Sequence, residues 1–125
     1  MNRLVEIRSY KLKPGTLESF HGAVESTAVP MLIRWGTDVV AFGPSAQEAD
    51  TYFLVRAYED LADLNARQDA FYSSEEWRDG PREQIVSCIE SYLSTVLWLS
   101  PESIDDLRRS NAPAWPERRF VRQGP

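Results

Sequence analysis

From Arg3 to Leu12 the side chains alternate, with Val5 and Ile7 on one side and Glu6, Arg8 and Tyr10 on the other. A period of two is that of a β-strand, and Lys13-Pro14-Gly15 ends it. The period then changes. Leu17, Phe20, Val24, Ala28 and Met31 recur at helical spacing over roughly 16–34, with Thr16 as the expected N-cap. Pro30 predicts a kink or restart there, because proline lacks a backbone donor and collides with the preceding turn. Asp38 to Phe42 reads as a second strand, stopped by Gly43-Pro44-Ser45, and Tyr52 to Glu59 as a third. The short link between them favours an antiparallel hairpin. Asp60 with Asp63 forms a capping pattern for a helix carried by Leu61, Leu64, Gln68 and Phe71 to about Tyr72. A turn is expected over Ser74 to Trp77. Gly80-Pro81 then starts another helix with Ile85, Val86 and Ile89 on its apolar side, and Ser91 to Leu99 alternates as the last strand.

Two of these strands repeat one pattern, Ile7-Arg8-Ser9-Tyr10 and Val55-Arg56-Ala57-Tyr58. Each opens a βα unit, so the order is βαββαβ. Right-handed crossovers interleave such units in the strand order 4-1-3-2, an α+β, ferredoxin-like antiparallel sheet with helices on one face. The helices are expected on the Val5 and Ile7 side. The repeated strands become central neighbours, with arginine against tyrosine across the ladder if the register allows. The other face, with Tyr52, Leu54, Tyr58, Tyr92, Val96 and Trp98, is too apolar to face water, and a second subunit is its simplest cover. Two sheets face to face make a homodimeric α/β barrel.

Composition narrows the classes. A chain of 125 residues with 42% hydrophobic residues suits one globular domain, here residues 1–100, followed by a C-terminal extension at 101–125. That extension starts as a short helix, Ser100 capping and Pro101 first, and ends as a Pro/Arg-rich arm whose Trp115 and Phe120 are expected to dock on protein. A net charge of −5 argues against nucleic-acid binding, and the basic residues of the arm are nearly cancelled by nearby acids. No apolar run reaches the length of a membrane helix. The single cysteine, Cys88, and a start without an apolar signal core lead us to expect a cytoplasmic protein.

The candidate chemistry centres on Glu6, Arg8, Tyr10, Arg56 and Tyr58. Arginine forks bind carboxylate or phosphate and tyrosine donates to oxyanions, so an enclosed set would hold an anion or enolate. The competing reading is structural, with Glu6, Glu59 or Asp38 neutralising the arginines. His21, the only histidine, is a candidate proton shuttle or haem ligand, set against a plain role at the core edge beside Leu17, Phe20 and Val24. Phe42, Trp35, Phe71, Tyr72 and Trp77 either wall an apolar pocket or fill core. Cys88 is expected to be a buried, inert thiol on a helix. Metal-ligand spacing and phosphate-binding loops are absent from the sequence, and no cofactor is expected.

Val5 to Gly15, Arg34-Trp35-Gly36, Val40 to Pro44 and Asp69 to Arg78 resemble the NIPSNAP family of the dimeric α/β-barrel superfamily over roughly residues 3–99. The resemblance implies a ferredoxin-like homodimer without naming a reaction. NIPSNAP proteins lack an agreed activity, while other superfamily members are cofactor-independent monooxygenases, isomerases, haem-degrading proteins or dye-decolourising peroxidases. The expectation is therefore a homodimer that binds a small organic molecule in its cavity. Its reaction would be proton abstraction and enolate stabilisation by Arg8, Arg56 and Tyr10, leading to oxidation or isomerisation. The alternative is a non-catalytic dimeric interaction module that uses its surface or its C-terminal arm.

Overall fold

The computed structural model describes residues 1–111, so the expected docking of Trp115 and Phe120 lies outside the described residues. The order is β1 (Arg3–Leu12), α1 (Leu17–Ala23), a π-helical segment (Val24–Ala28), α2 (Val29–Arg34), β2 (Asp38–Pro44), β3 (Thr51–Tyr58), α3 (Leu61–Ser73), α4 (Glu75–Asp79), α5 (Arg82–Val86), β4 (Ile89–Leu99) and α6 (Pro101–Asn111). The sheet runs β2-β3-β1-β4 with every neighbouring pair antiparallel. This is the ferredoxin-like arrangement, with the two repeated strands in the centre.

Local chemistry sets the element ends. Asp60 accepts from the Asp63 backbone N–H at 2.8 Å, and Asp63 accepts from that of Glu59 at 3.0 Å, a reciprocal cap that starts α3. Ser74 caps α4 and Ser100 caps α6 with a single bond each, accepting from the backbone N–H of Trp77 and Ser103. Thr16 precedes α1 without capping it, because its hydroxyl donates to the carbonyls of Lys13 and Cys88 instead. The helix is not simply kinked at Pro30. It widens into the π-helical segment and resumes with Pro30 in the first turn of α2, where a missing N–H costs little. Gly36 ends α2 at φ +89, and a side chain there would come within 2.6 Å of Arg67.

The faces of the sheet are the reverse of the sequence expectation. Tyr10, Leu12, Tyr52 and Leu54 point into the main core with Phe20, Val24, Leu32, Phe71 and Trp77, so α1 to α5 lie on the side that carries Glu6 and Arg8. Val5, Val55 and Ala57 face the other way and pack with Val40, Ala41 and Ile104 of α6. The misreading has a simple cause. The apolar stripe of β1 is served by α6, while the polar residues of its other stripe are buried because they satisfy one another. Tyr52, Leu54 and Tyr58 are accordingly buried under helices rather than on an open face. Tyr92, Val96 and Trp98, on the edge strand β4, do remain exposed, together with Leu93.

Candidate functional site

In the β1–β3 ladder Glu6 lies opposite Arg56, Arg8 opposite Leu54, Tyr10 opposite Tyr52 and Leu4 opposite Tyr58. The expected arginine-to-tyrosine pairing does not occur. The repeats are out of step with the ladder by two residues, which makes Arg8 and Arg56 diagonal neighbours on one face. Glu6 stands beside both. Arg56 donates to Glu6 Oε1 from Nη2 at 2.6 Å and from Nε at 3.1 Å, while Arg8 Nη2 donates to Oε2 at 3.0 Å. The arginine side chains are 0% and 14% exposed for Arg56 and Arg8, and Glu6 is 4% exposed. Glu59 and Asp38, the other expected neutralisers, bind Arg3 instead, and Asp38 also binds Arg108.

Helix α3 closes this group from above. Leu64, Gln68 and Tyr72 follow at four-residue spacing and so line one helix face. Gln68 donates to Glu6 at 2.9 Å and to the Tyr58 hydroxyl at 3.1 Å, and the Tyr72 hydroxyl accepts from Arg56 Nη1 at 2.7 Å. From β4, Ser94 donates to Glu6 at 3.0 Å and accepts from Arg8 at 3.2 Å, while the Arg8 guanidinium lies 4.8 Å above the Tyr92 ring. Burial alone would raise the Glu6 pKa, but Arg56 and then Arg8 hold the carboxyl below its ordinary value. Two guanidiniums thus share one carboxylate, leaving one net positive charge in a largely desolvated place.

Beside this group the sheet and helices enclose a cavity lined by Tyr10, Tyr52, Tyr72, Phe20, Trp77 and Ile85, among others. Its volume is about 30 Å³, enough for one or two water-sized molecules. Ligand sites for organic molecules usually span about 300–1,000 Å³, so a larger guest requires the covering helices to move. Part of that cover is α4 and α5, which bring in Trp77 and Ile85 on helices of five residues each. Burial, and after it Tyr72, push the Tyr10 hydroxyl up to about 12 against the opposing effect of Arg8 and Arg56, so it is a neutral donor near pH 7.

Of the residues expected to form a site, Glu6, Arg8, Arg56 and Tyr58 share one network, and Tyr10 and Trp77 line the adjoining cavity. Trp77 sits on the short helix α4 rather than in a turn. Phe42 packs near His21, their rings 6.2 Å apart, and is not among the residues lining the cavity. His21 is half-buried, with Nδ1 2.6 Å from the Tyr52 hydroxyl. Cys88 is buried in the turn after α5, its thiol donating to the Gln84 carbonyl. Among the described residues no cluster of His, Cys, Asp and Glu is placed to hold a metal. Gln68, Ser94 and Tyr52 were not anticipated as site residues. Gln68 carries a usable signal, since it interrupts the apolar stripe of α3 at a position that faces the sheet.

The NIPSNAP family model matches residues 5–103. The chain belongs to the NIPSNAP family. Solved structures agree on the fold. An Agrobacterium tumefaciens NIPSNAP protein of unknown function is 19% identical with a TM-score of 0.71, the match covering 78% of this chain and 88% of that one. A NIPSNAP-like protein from Burkholderia xenovorans is likewise 19% identical, with a TM-score of 0.71 and coverage of 79% and 86%. A Bordetella bronchiseptica protein provisionally named an antibiotic biosynthesis monooxygenase is 23% identical, with a TM-score of 0.60 and coverage of 80% and 97%. None of the curated proteins matches the chain. At these identities the likeness is one of fold.

Proposed function

We propose that this NIPSNAP protein binds a small planar organic molecule carrying an anionic or enolisable oxygen between β1, β3 and the α3–α5 cover. One observation carries the reading: a buried and a half-buried guanidinium share a single carboxylate beside an aromatic cavity. The surplus positive charge favours an oxyanion, with Arg56, the Tyr72 hydroxyl it holds and the neutral Tyr10 as donors. The reaction class is cofactor-independent isomerisation or oxidation through an enolate. The fold likeness to a protein provisionally named a monooxygenase supports the oxidative branch. The reading includes a cytoplasmic homodimer. The exposed Tyr92, Val96 and Trp98, which share one face of β4, are the apolar surface that a second copy would cover.

Native mass spectrometry of the freshly purified chain tests this directly. A dimer that retains an organic molecule, and loses it in Arg56→Met, supports the proposal. A monomer contradicts the dimer, and ligand retention undiminished in Arg56→Met contradicts the role of the arginine. The rival reading, a non-catalytic interaction module, is favoured by the small size of the cavity. It predicts a dimer that never retains a small molecule.

A further inference from the structure

One cavity-lining residue, Tyr52, is tied to polar residues outside the arginine group. Tyr52 of β3 lines the cavity, and its hydroxyl lies 2.6 Å from His21 Nδ1 on α1. On the far side of the imidazole, Nε2 lies 3.7 Å from the Glu25 carboxylate in the π-helical segment. The Phe42 ring of β2 lies 6.2 Å from the imidazole, and the Phe20 and Tyr10 rings lie 4.9 and 6.4 Å from that of Tyr52. A carboxylate near Nε2 favours the tautomer with its proton there, which leaves Nδ1 as the acceptor for the Tyr52 O–H. The order carboxylate, imidazole, hydroxyl is that of a general-base relay, and its hydroxyl belongs to a residue that lines the cavity.

We propose that His21 and Tyr52 form a proton relay that takes the proton of a weakly acidic phenol or enol bound in the cavity. The proton moves in two coupled transfers. The O–H bond of the guest breaks, its proton passes to the Tyr52 oxygen and its electron pair stays on the guest oxygen. The Tyr52 O–H bond breaks in turn, and its proton passes to His21 Nδ1. The products are an organic anion, held by the surplus charge of Arg8 and Arg56, and an imidazolium beside Glu25. His21 is a positioning and proton-accepting residue acting through Tyr52. Burial, opposed by Glu25, lowers its pKa, so the imidazole is neutral and able to accept near pH 7. This inference rests on the proposed cavity binding and adds the chemical class of the guest and the group that deprotonates it.

Because His21 is the only histidine, nitrogen-15 histidine labelling gives one imidazole to observe. The relay requires the Nε2–H tautomer in the wild type, and a predominant Nδ1–H tautomer overturns it. The second arm uses para-cyanophenol at pH 7, with binding followed by fluorescence quenching and ionisation by the ultraviolet absorbance of the phenolate. His21→Gln keeps an acceptor for the Tyr52 hydroxyl and removes the basicity. The bound phenol should be at least roughly tenfold more ionised on the wild type than on His21→Gln, with both proteins equally folded by circular dichroism. Equal ionisation on both overturns the relay and leaves cavity binding intact. Failure of the phenol to bind either protein overturns cavity binding, and with it the relay, which would then be a structural hydrogen bond.

Discussion

Ile7-Arg8-Ser9-Tyr10 and Val55-Arg56-Ala57-Tyr58 carry the same residue types in the two central strands. Yet Arg56 has no exposed side-chain surface and Arg8 keeps 14%. The neighbours account for the difference. Arg56 lies between Glu6 and the Tyr72 hydroxyl under α3, whereas Arg8, 3.4 Å from Gln68 of α3, leans toward the edge strand β4, where Tyr92 is the ring beneath it. Tyr58 is tied to Gln68 in the polar network, while Tyr10 joins Phe20 and Tyr52 in an aromatic cluster. A repeated motif therefore does not imply a repeated role. Each residue is defined by the strand beside it and the helix above it.

The sharpest way to break the comparison is to remove the carboxylate that the arginines share. Glu6→Gln should lower unfolding stability by about 3–5 kcal/mol in urea titrations, because buried Arg56 and half-buried Arg8 then face each other without an anion. Arg56→Met should come next, at about 2–3 kcal/mol, since Glu6 retains Arg8 as a partner while the Tyr72 hydroxyl loses its donor. Arg8→Met should cost about 1 kcal/mol, because Arg56 still satisfies Glu6 and the lost site borders solvent. Equal losses for Arg8→Met and Arg56→Met would show that the two strands are equivalent after all.

The same contrast governs the pH response. Burial raises the Glu6 pKa, but Arg56 and Arg8 more than offset it, so the folded value lies below the ordinary 4.5. The unfolded chain then takes up that proton first as the pH falls. The contribution of Glu6 is complete above about pH 4.5 and is lost as pH drops through the folded value. Thermal unfolding between pH 6 and pH 3 should show the fall, and Arg56→Met should shrink it. The smallest effect belongs to His21, whose pKa burial also lowers. Protonation of the unfolded chain below about 6.5 should weaken the fold slightly, and His21→Gln should remove that slope.

Much of this architecture was legible in the chain. Period-two and helical spacing, the Asp60 and Ser74 region and the Gly80-Pro81 break locate the elements, and crossover handedness yields the strand order. The site was legible by residue type and not by arrangement. Glu6, Arg8 and Arg56 stand out as charges in strands, but their sharing of one carboxylate depends on a register that no local pattern encodes. The face assignment failed for a related reason. Hydrophobicity alone places Glu6 and Arg8 toward water, whereas mutual pairing and Gln68 make their burial tolerable. Ser94 entered only through the sheet register, and Gln68 only as a polar break in the apolar stripe of α3.

The central claim is that the surplus charge of the Arg8, Arg56 and Glu6 group selects an anionic guest. Calorimetric titration of the wild type and Arg56→Met with benzoate and with benzyl alcohol tests it most directly. The account predicts that the wild type binds benzoate at least about tenfold more tightly than benzyl alcohol, and that Arg56→Met loses the preference. Equal affinity for the two ligands, a preference that survives in Arg56→Met, or no binding of either would contradict it.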